Sequence, residues 1–133
     1  MNKGTITINS SRKIELIDIT TQINKALEQS GCEGGICYLY CPHTTAALTV
    51  NEGADPAVQQ DIAAVIERIV PGQFPYKHLE GNSQAHMMTS IIGSSEIIFI
   101  ENSALKLGTW QRIFFCEFDG PRERQAHWRI IGG

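Results

Sequence analysis

Residues 36–51 have the sequence ICYLYCPHTTAALTVN, and this stretch decides the fold class. Residues 36–41 carry no charge and are apolar in both alternating positions, which predicts a strand that lies centrally in a sheet. Residues 45–51 predict a second strand. Because two strands follow each other without an intervening helix, the chain departs from the βαβ alternation of a doubly wound parallel sheet.

Two strands and a helix are predicted on the N-terminal side of this stretch. Residues 5–9 and 13–19 alternate polar and apolar side chains, and turn-forming residues join them, so we expect a β-hairpin. A helix is predicted over residues 21–30. Asp18 or Thr20 can cap it, and Gly31 suits its C-terminal end.

The clearest helix begins at Asp55-Pro56, because aspartate is a good N-cap and proline suits the first helical position. Its apolar residues recur with a period near 3.6: Val58, Ile62, Val65, Ile66 and Ile69. A shorter helix is predicted from Asn82 or Ser83 to Gly93.

Three strands are predicted after the last helix, over residues 96–101, 109–118 and 127–131. The element order ββ-α-ββ-α-α-βββ favours an α+β fold with a largely antiparallel sheet. The length of 133 residues fits a single domain, 1–133.

Composition narrows the functional classes. The net charge of −3 argues against a nucleic-acid binder, which needs a basic face. Neither a signal peptide nor a span of ~18 apolar residues is visible, so we expect a cytoplasmic protein without membrane contact. Four cysteines without a C-x-x-C pair are expected to be small buried residues.

One face of the strand that follows Pro42 is small and polar, comprising His43, Thr45, Ala47, Thr49 and Asn51. Small side chains leave room for a ligand. The same pattern is typical of a solvated strand face, and the segment alone leaves both interpretations open.

Asp61 borders the apolar stripe of the long helix. Burying an unpaired carboxylate is costly, so we expect Asp61 to be at least half buried beside a cation, a metal or a hydrogen-bond donor.

Two histidines, His78 and His86, enclose a polar turn and a helix start. Histidine is the commonest metal ligand, but this spacing matches no defined zinc motif, so hydrogen-bonded surface histidines are the alternative.

Residues 107–122 place polar groups on and beside a strand. Gln111 and Glu117 share a face that is apolar in its middle. Gly108 permits a close backbone approach, and Arg122 can hold an anion or pair with Asp119. Trp110 is expected in the core.

These segments together resemble the YjbQ-like family, whose members are often described as secondary thiamine-phosphate synthases. The resemblance covers essentially the whole chain. It rests on the motifs Cys41-Pro42-His43-Thr44-Thr45-Ala46, Asn51-Glu52, Tyr76-x-His78, Ala85-His86, Gly108-Thr109-Trp110-Gln111 and Glu117-Phe118-Asp119-Gly120-Pro121-Arg122.

The resemblance implies a homotrimer, a phosphorylated small-molecule substrate and weak joining of a pyrimidine pyrophosphate to a thiazole phosphate. It also implies a divalent metal, zinc first and magnesium second, held by His43, His78 and His86. The candidate bases or further ligands are Asp61, Glu52 and Glu117. The candidate substrate-binding residues are Thr44, Thr45, Asn51, Gly108, Thr109, Gln111 and Arg122. A non-catalytic metal- or ligand-binding trimer and a metal-dependent hydrolase are the alternatives, and His127 is interpreted as structural.

Overall fold

The computed structural model describes residues 2–133, which contain eight strands and three helices in the predicted order, with one added two-residue strand. The strands are β1 Lys3–Asn9, β2 Glu15–Asp18, β3 Gly35–Tyr40, β4 Ala46–Glu52, β5 Ser95–Glu101, β6 Ala104–Leu105, β7 Gln111–Glu117 and β8 Glu123–Gly132. The helices are α1 Thr20–Ser30, α2 Pro56–Ile69 and α3 Ser83–Ile92.

The strands form two antiparallel sheets. The larger has the order β1-β8-β3-β5-β6, and the smaller has the order β2-β7-β4. Every strand pair in the described chain is antiparallel. The predicted α+β class with antiparallel sheets is therefore confirmed.

The predicted hairpin between the first two strands is wrong. β1 pairs with β8, whereas β2 pairs with β7 in the other sheet. Alternation of side chains predicts that a segment is a strand, but it does not choose the partner. Ile8 of β1 lies in the main core, whereas β2 contacts both cores, Ile17 the main one and Leu16 the second.

The main core fills the space between the two sheets, with α1 closing one side. Cys37 and Leu39 of β3 are fully buried there, together with Phe115 of β7. β3 lies in the middle of the larger sheet, as predicted. Its second apolar face is exposed, because Tyr38 and Tyr40 point to the outer side of that sheet.

A second core lies between the smaller sheet and helices α2 and α3, around Ala47 and Met88. Asp55 caps α2 by accepting the Ala57 N–H at 2.9 Å, as predicted. Within the predicted stripe of α2 only Ile66 is buried.

The start of α1 differs from the prediction. Ile19 occupies the N-cap position, and the Asp18 carboxylate accepts the Thr20 N–H at 2.9 Å. Gly31 ends the helix in a left-handed conformation with φ 67°, as predicted.

Cys37, Cys41 and Cys116 are buried free thiols, and Cys32 is half-buried. None of the helices in the described chain is long and apolar enough to cross a membrane.

Candidate functional site

The loop after β3 brings His43, Thr44 and Thr45 to the start of β4, beside the end of β7. The pairing of Ala46 with Glu117 fixes this register. Thr45 is buried and accepts two hydrogen bonds from Arg124 Nη2, at its carbonyl oxygen (3.1 Å) and at Oγ1 (2.8 Å). Thr44 is exposed. Of these two predicted substrate-binding threonines, only Thr44 can therefore reach a ligand.

Glu117 and Arg124 form a buried ion pair beneath this end of β4, with Arg124 Nη2 2.5 Å from Glu117 Oε2 and Nε 2.9 Å from Oε1. Ser10 Oγ donates to Oε1 at 2.7 Å, and the Asp119 N–H donates to Oε2 at 3.0 Å. Burial raises the pKa of the Glu117 carboxyl, but these hydrogen bonds outweigh burial and hold the pKa below its ordinary value. Glu117 is fully buried, so it anchors the fold, and the predicted role of base does not fit it.

His43 is held by the backbone of β8. The Gln125 N–H donates to His43 Nε2 at 2.9 Å, and the ring meets Phe115 edge-on with centroids 6.4 Å apart. Burial and the nearby Arg124 charge lower the pKa of His43, which is therefore neutral at pH 7. A neutral imidazole that accepts at Nε2 carries its proton on Nδ1. His43 thus presents an N–H donor.

His78 and His86 come together at the start of α3. Their ring centroids are 5.3 Å apart and the rings are nearly perpendicular. The loop after β7 reaches the same place, because Asp119 Oδ2 accepts from Asn82 Nδ2 at 3.0 Å. Asp119 also holds the half-exposed Arg122 through its carbonyl oxygen (2.9 Å) and its carboxylate (3.1 Å).

A cleft of about 480 Å³ runs between the loop after β3 and helix α3. His43, Thr44 and His86 line it, with Ser90 and Thr89 on the helix side. The Thr89 hydroxyl is buried and has no hydrogen-bond partner among residues 2–133. Buried hydroxyl groups are normally satisfied, so the unpaired Thr89 marks this wall as one that a polar ligand atom can complete.

The histidines only partly fit a metal centre. Within the described residues, no group of three or more His, Cys, Asp or Glu side chains is arranged to hold a metal ion. His78 and His86 can offer two imidazole nitrogens. His43 cannot join them in this conformation, because Nε2 accepts from Gln125 and Nδ1 carries the proton.

Most of the remaining predicted site residues lie at the opposite end of β4. Glu52 pairs with Gln111 there, whereas Ala46 pairs with Glu117, a separation of roughly 20 Å at ~3.4 Å per residue. Gln111 Oε1 accepts the Gly108 N–H at 2.7 Å, and Asn51 Oδ1 accepts the Glu52 N–H at 2.7 Å. One chain therefore does not bring all the predicted segments to a single site.

Two further predictions are wrong. Asp61 is exposed, because α2 contacts the sheet mainly through Ile66 and the edge of its stripe faces outward. Trp110 is 64% exposed in the turn before β7, where Gly53 N–H donates to its carbonyl oxygen at 2.9 Å, and so lies outside the core.

Comparison with known proteins decides the family. The sequence model of the family described as "UPF0047 protein YjbQ-like" matches residues 4–133. The chain belongs to this family. The UPF0047 protein MJ1081 of Methanocaldococcus jannaschii is 46% identical over 94% of this chain and 91% of its own length. The UPF0047 protein YugU of Bacillus subtilis is 43% identical over 96% of this chain and 98% of its own length.

Solved structures of similar sequence have the same fold. An uncharacterized YjbQ/UPF0047 protein from Clostridium acetobutylicum superimposes with a TM-score of 0.93 at 48% identity, covering 96% of this chain and 98% of that one. The hypothetical protein APE1520 from Aeropyrum pernix K1 gives a TM-score of 0.95 at 38% identity, with both chains fully covered.

Arg124 is the residue of this family member that sequence reasoning missed. It shares a face of β8 with the buried Ala126 and Ile130, so the alternation of that strand places an arginine among inward-facing apolar residues. A cation in such a position needs a buried carboxylate partner, and that requirement could have identified both Arg124 and Glu117 as an anchor.

Proposed function

We propose that the protein is a small-molecule enzyme whose cleft, defined by His43, Thr44, His86, Thr89 and Ser90, binds a phosphorylated substrate with a divalent metal. We further propose that it has weak thiamine-phosphate synthase activity, joining a pyrimidine pyrophosphate to a thiazole phosphate. The observation that carries the proposal is the convergence of two histidines, His43 and His86, with hydroxyl groups of the loop after β3 and of α3 in one cleft.

The phosphate-binding part rests on hydrogen-bond donors. His43 offers its Nδ1 proton, and Thr44 and Ser90 offer hydroxyl groups. Arg122 uses Nε and Nη2 on Asp119, so Nη1 remains for an anion. Its charge is among those that lower the pKa of His43, which indicates that the two groups are close.

The metal-binding part rests on His78 and His86, whose ring centroids lie 5.3 Å apart, close enough for the two side chains to share an ion. Imidazole nitrogen favours zinc over magnesium, which prefers oxygen ligands. When bound, the ion would supply positive charge for the leaving phosphates. A pair of histidines is an incomplete ligand set, so substrate, water or a second copy of the chain has to complete it.

The proposed reaction makes modest demands on the protein. The thiazole nitrogen attacks the pyrimidine methylene, the carbon–oxygen bond breaks, and pyrophosphate leaves with the bonding electrons. Arg122 and His43 stabilise the charge that develops on the departing phosphates. The cleft walls align the two reactants, which alone can lower a barrier by ~7–11 kcal/mol when the geometry is good.

We also propose a homotrimer with the site at or near a subunit boundary. The outer face of the larger sheet exposes a contiguous set of large apolar side chains, namely Tyr38, Tyr40, Ile97, Phe99 and Ile131. Such patches on soluble proteins commonly mark interfaces. Tyr40 also lines the cleft, so a second copy that packs on this face would border the site. The second copy could then place the far end of its own β4 beside the cleft.

A cytoplasmic location is proposed because the cysteines are free thiols.

A specific observation supports the alternative of a non-catalytic, ligand-binding homotrimer. Glu117 is sealed in an ion pair, Asp61 is exposed, and Glu52 lies at the far end of β4. No predicted carboxylate base therefore lines the cleft within one chain. A metal-dependent hydrolase would likewise have no predicted carboxylate base in the cleft, so the metal alone would have to activate the water.

Complementation of a thiamine-requiring strain that lacks its own synthase tests the activity. We expect slow growth with the overexpressed wild type and none with His86→Ala or Arg122→Ala. Arg68→Ala, an exposed arginine in the last turn of α2, is the control and should support growth. Growth with both site variants would mean that this cleft does not carry the reaction, and no growth with the wild type would favour the ligand-binding trimer.

Light scattering tests the assembly. The wild type should have three times the chain mass of 14.7 kDa, and Phe99→Glu should dissociate it. Ile91→Glu is the matched control, because Ile91 is equally apolar and 56% exposed but lies on α3 and not on the sheet face. A monomeric wild type would contradict the proposal.

A further inference from the structure

A second cavity lies on the other side of the histidine pair. It has a volume of about 590 Å³ and is bounded by the 72–81 loop, the start of α3 and Lys13. His78 lines this cavity and His86 lines the cleft described above, so the two closely spaced imidazoles separate the two spaces. None of the predicted substrate-binding residues lies here.

An exposed aromatic side chain forms part of the wall of this cavity. Phe74 is 59% exposed and contacts Tyr76, with ring centroids 4.9 Å apart. Tyr76 is fixed, because its hydroxyl donates to the Pro71 carbonyl oxygen at 2.5 Å. An exposed phenyl ring that lines a cavity and packs against a neighbouring ring offers a stacking surface for a flat ligand.

Positive charge lies in the same cavity. Lys13 lines it and forms no ion pair within residues 2–133. The first turn of α3 also borders it at Ser83 and Gln84, and its N-cap residue Asn82 makes no side-chain capping bond. An ammonium group and an open helix start both favour an anion.

One acidic group, Glu67, faces the same space from α2. A carboxylate there would oppose an anion placed directly against it. It would accept a hydrogen bond from a ring N–H or amino group. The combination of an aromatic wall, a cation and a carboxylate therefore suits a ligand that is flat and polar at one end and anionic at the other.

We propose that this cavity binds a phosphate monoester of a flat heteroaromatic ring. The ring stacks on Phe74, and the phosphate lies toward Lys13 and the start of α3. The binding site stands on its own observations. Its role as the place of the second reactant, across the histidine pair from the first, rests on the proposed function.

Isothermal titration with phenyl phosphate and with inorganic phosphate tests the site. We expect phenyl phosphate to bind about tenfold more tightly, since stacking on an aromatic side chain contributes on that scale. Phe74→Ala should remove the difference between the two probes. Lys13→Met should weaken both probes. Lys77→Met is the matched control, because Lys77 belongs to the 72–81 loop but is not part of the cavity wall, and it should change neither.

Equal affinities of the wild type for the two probes would overturn the proposal, as would equal losses in the Lys13 and Lys77 variants. His86→Ala separates this proposal from the proposed function. It should abolish complementation and leave the preference for phenyl phosphate unchanged, because His86 lines only the other cleft.

Discussion

The two ends of β4 carry polar residues that are held in different ways. At its start, Thr45 is bonded to Arg124, 79 residues away, and His43 to Gln125, 82 residues away. At its far end, Glu52 bonds Asp55 and Gln111 bonds Gly108, each three residues away. The polar side chains at the start are held by residues distant in the sequence, whereas those at the far end form hydrogen bonds within local turns.

This difference separates anchors from available groups. The start of β4 places sealed residues, Glu117 and Arg124, directly beneath open ones, His43 and Thr44. Buried polar networks that are fully satisfied make the surrounding structure rigid. A ligand in the cleft would therefore meet donors whose positions are fixed before it arrives.

The largest expected effect comes from Arg124→Met. Leaving Glu117 buried without its partner should lower the free energy of unfolding by ~3–5 kcal/mol, measured by urea denaturation. Arg112→Met is the control, since the Arg112–Asp18 pair is partly exposed, is screened by solvent and should be worth at most ~1 kcal/mol. Equal losses in the two variants would show that burial does not distinguish these pairs.

Metal content should distinguish the histidine pair at the start of α3 from the far end of β4. Elemental analysis of unchelated wild type should find zinc bound, and the double variant His78→Ala/His86→Ala should lose it. Cys32→Ser, which removes a half-buried thiol, and Glu52→Gln at the far end of β4 should keep it. Equal metal content in the wild type and the double histidine variant would refute a metal site at the start of α3.

The pH dependence of stability should also reflect the start of β4. The pKa of folded His43 is lowered below its ordinary value of 6.5, so the unfolded chain takes up a proton first as pH falls. Stability should therefore decrease below about pH 6.5. His43→Gln should lose this dependence and keep the further loss that begins below the ordinary carboxyl pKa of 4.5 and continues as the pH falls toward the lowered pKa of Glu117. Urea midpoints measured from pH 7.5 downward through the acid range, to well below pH 4.5, follow both losses, and an identical profile in the variant would exclude His43 as the cause.

Sequence reasoning succeeded where the physics is local. Asp55 and Pro56 predicted the start of α2 because capping and a fixed φ act within one turn. The pairing of β1 with β8 was missed, because partner choice depends on residues more than 100 positions away. Asp61 was placed at a buried edge by helical periodicity, but periodicity does not tell how closely a helix approaches its sheet.

The candidate site was predicted in the same uneven way. The sequence predicted His43, His78, His86 and Arg122 as site residues, and the structure brings these four to one end of the smaller sheet. The roles were not predictable, because Glu117 becomes an anchor only through Ser10 and Arg124, 107 and 7 residues away. Nor could the separation of Gln111 and Glu52 from the histidines be deduced without the register of β4.

The smallest expected effect is that of Gln111→Ala on stability. Its side chain makes one exposed, local hydrogen bond, so the free energy of unfolding should fall by about 0.5–1.5 kcal/mol. Gln125→Ala, on the exposed face of β8, is the control and should change the free energy of unfolding by less than ~0.5 kcal/mol.

Complementation of the thiamine-requiring strain by the same variants is the more informative measurement. If the far end of β4 only shapes its own turn, Gln111→Ala should support growth like the wild type. If the far end completes the cleft of a neighbouring subunit, as proposed, Gln111→Ala should lose growth although the variant remains folded. Mixing it with His86→Ala chains should then restore part of the activity, because in some mixed trimers an intact His86 meets an intact Gln111 of the neighbouring chain.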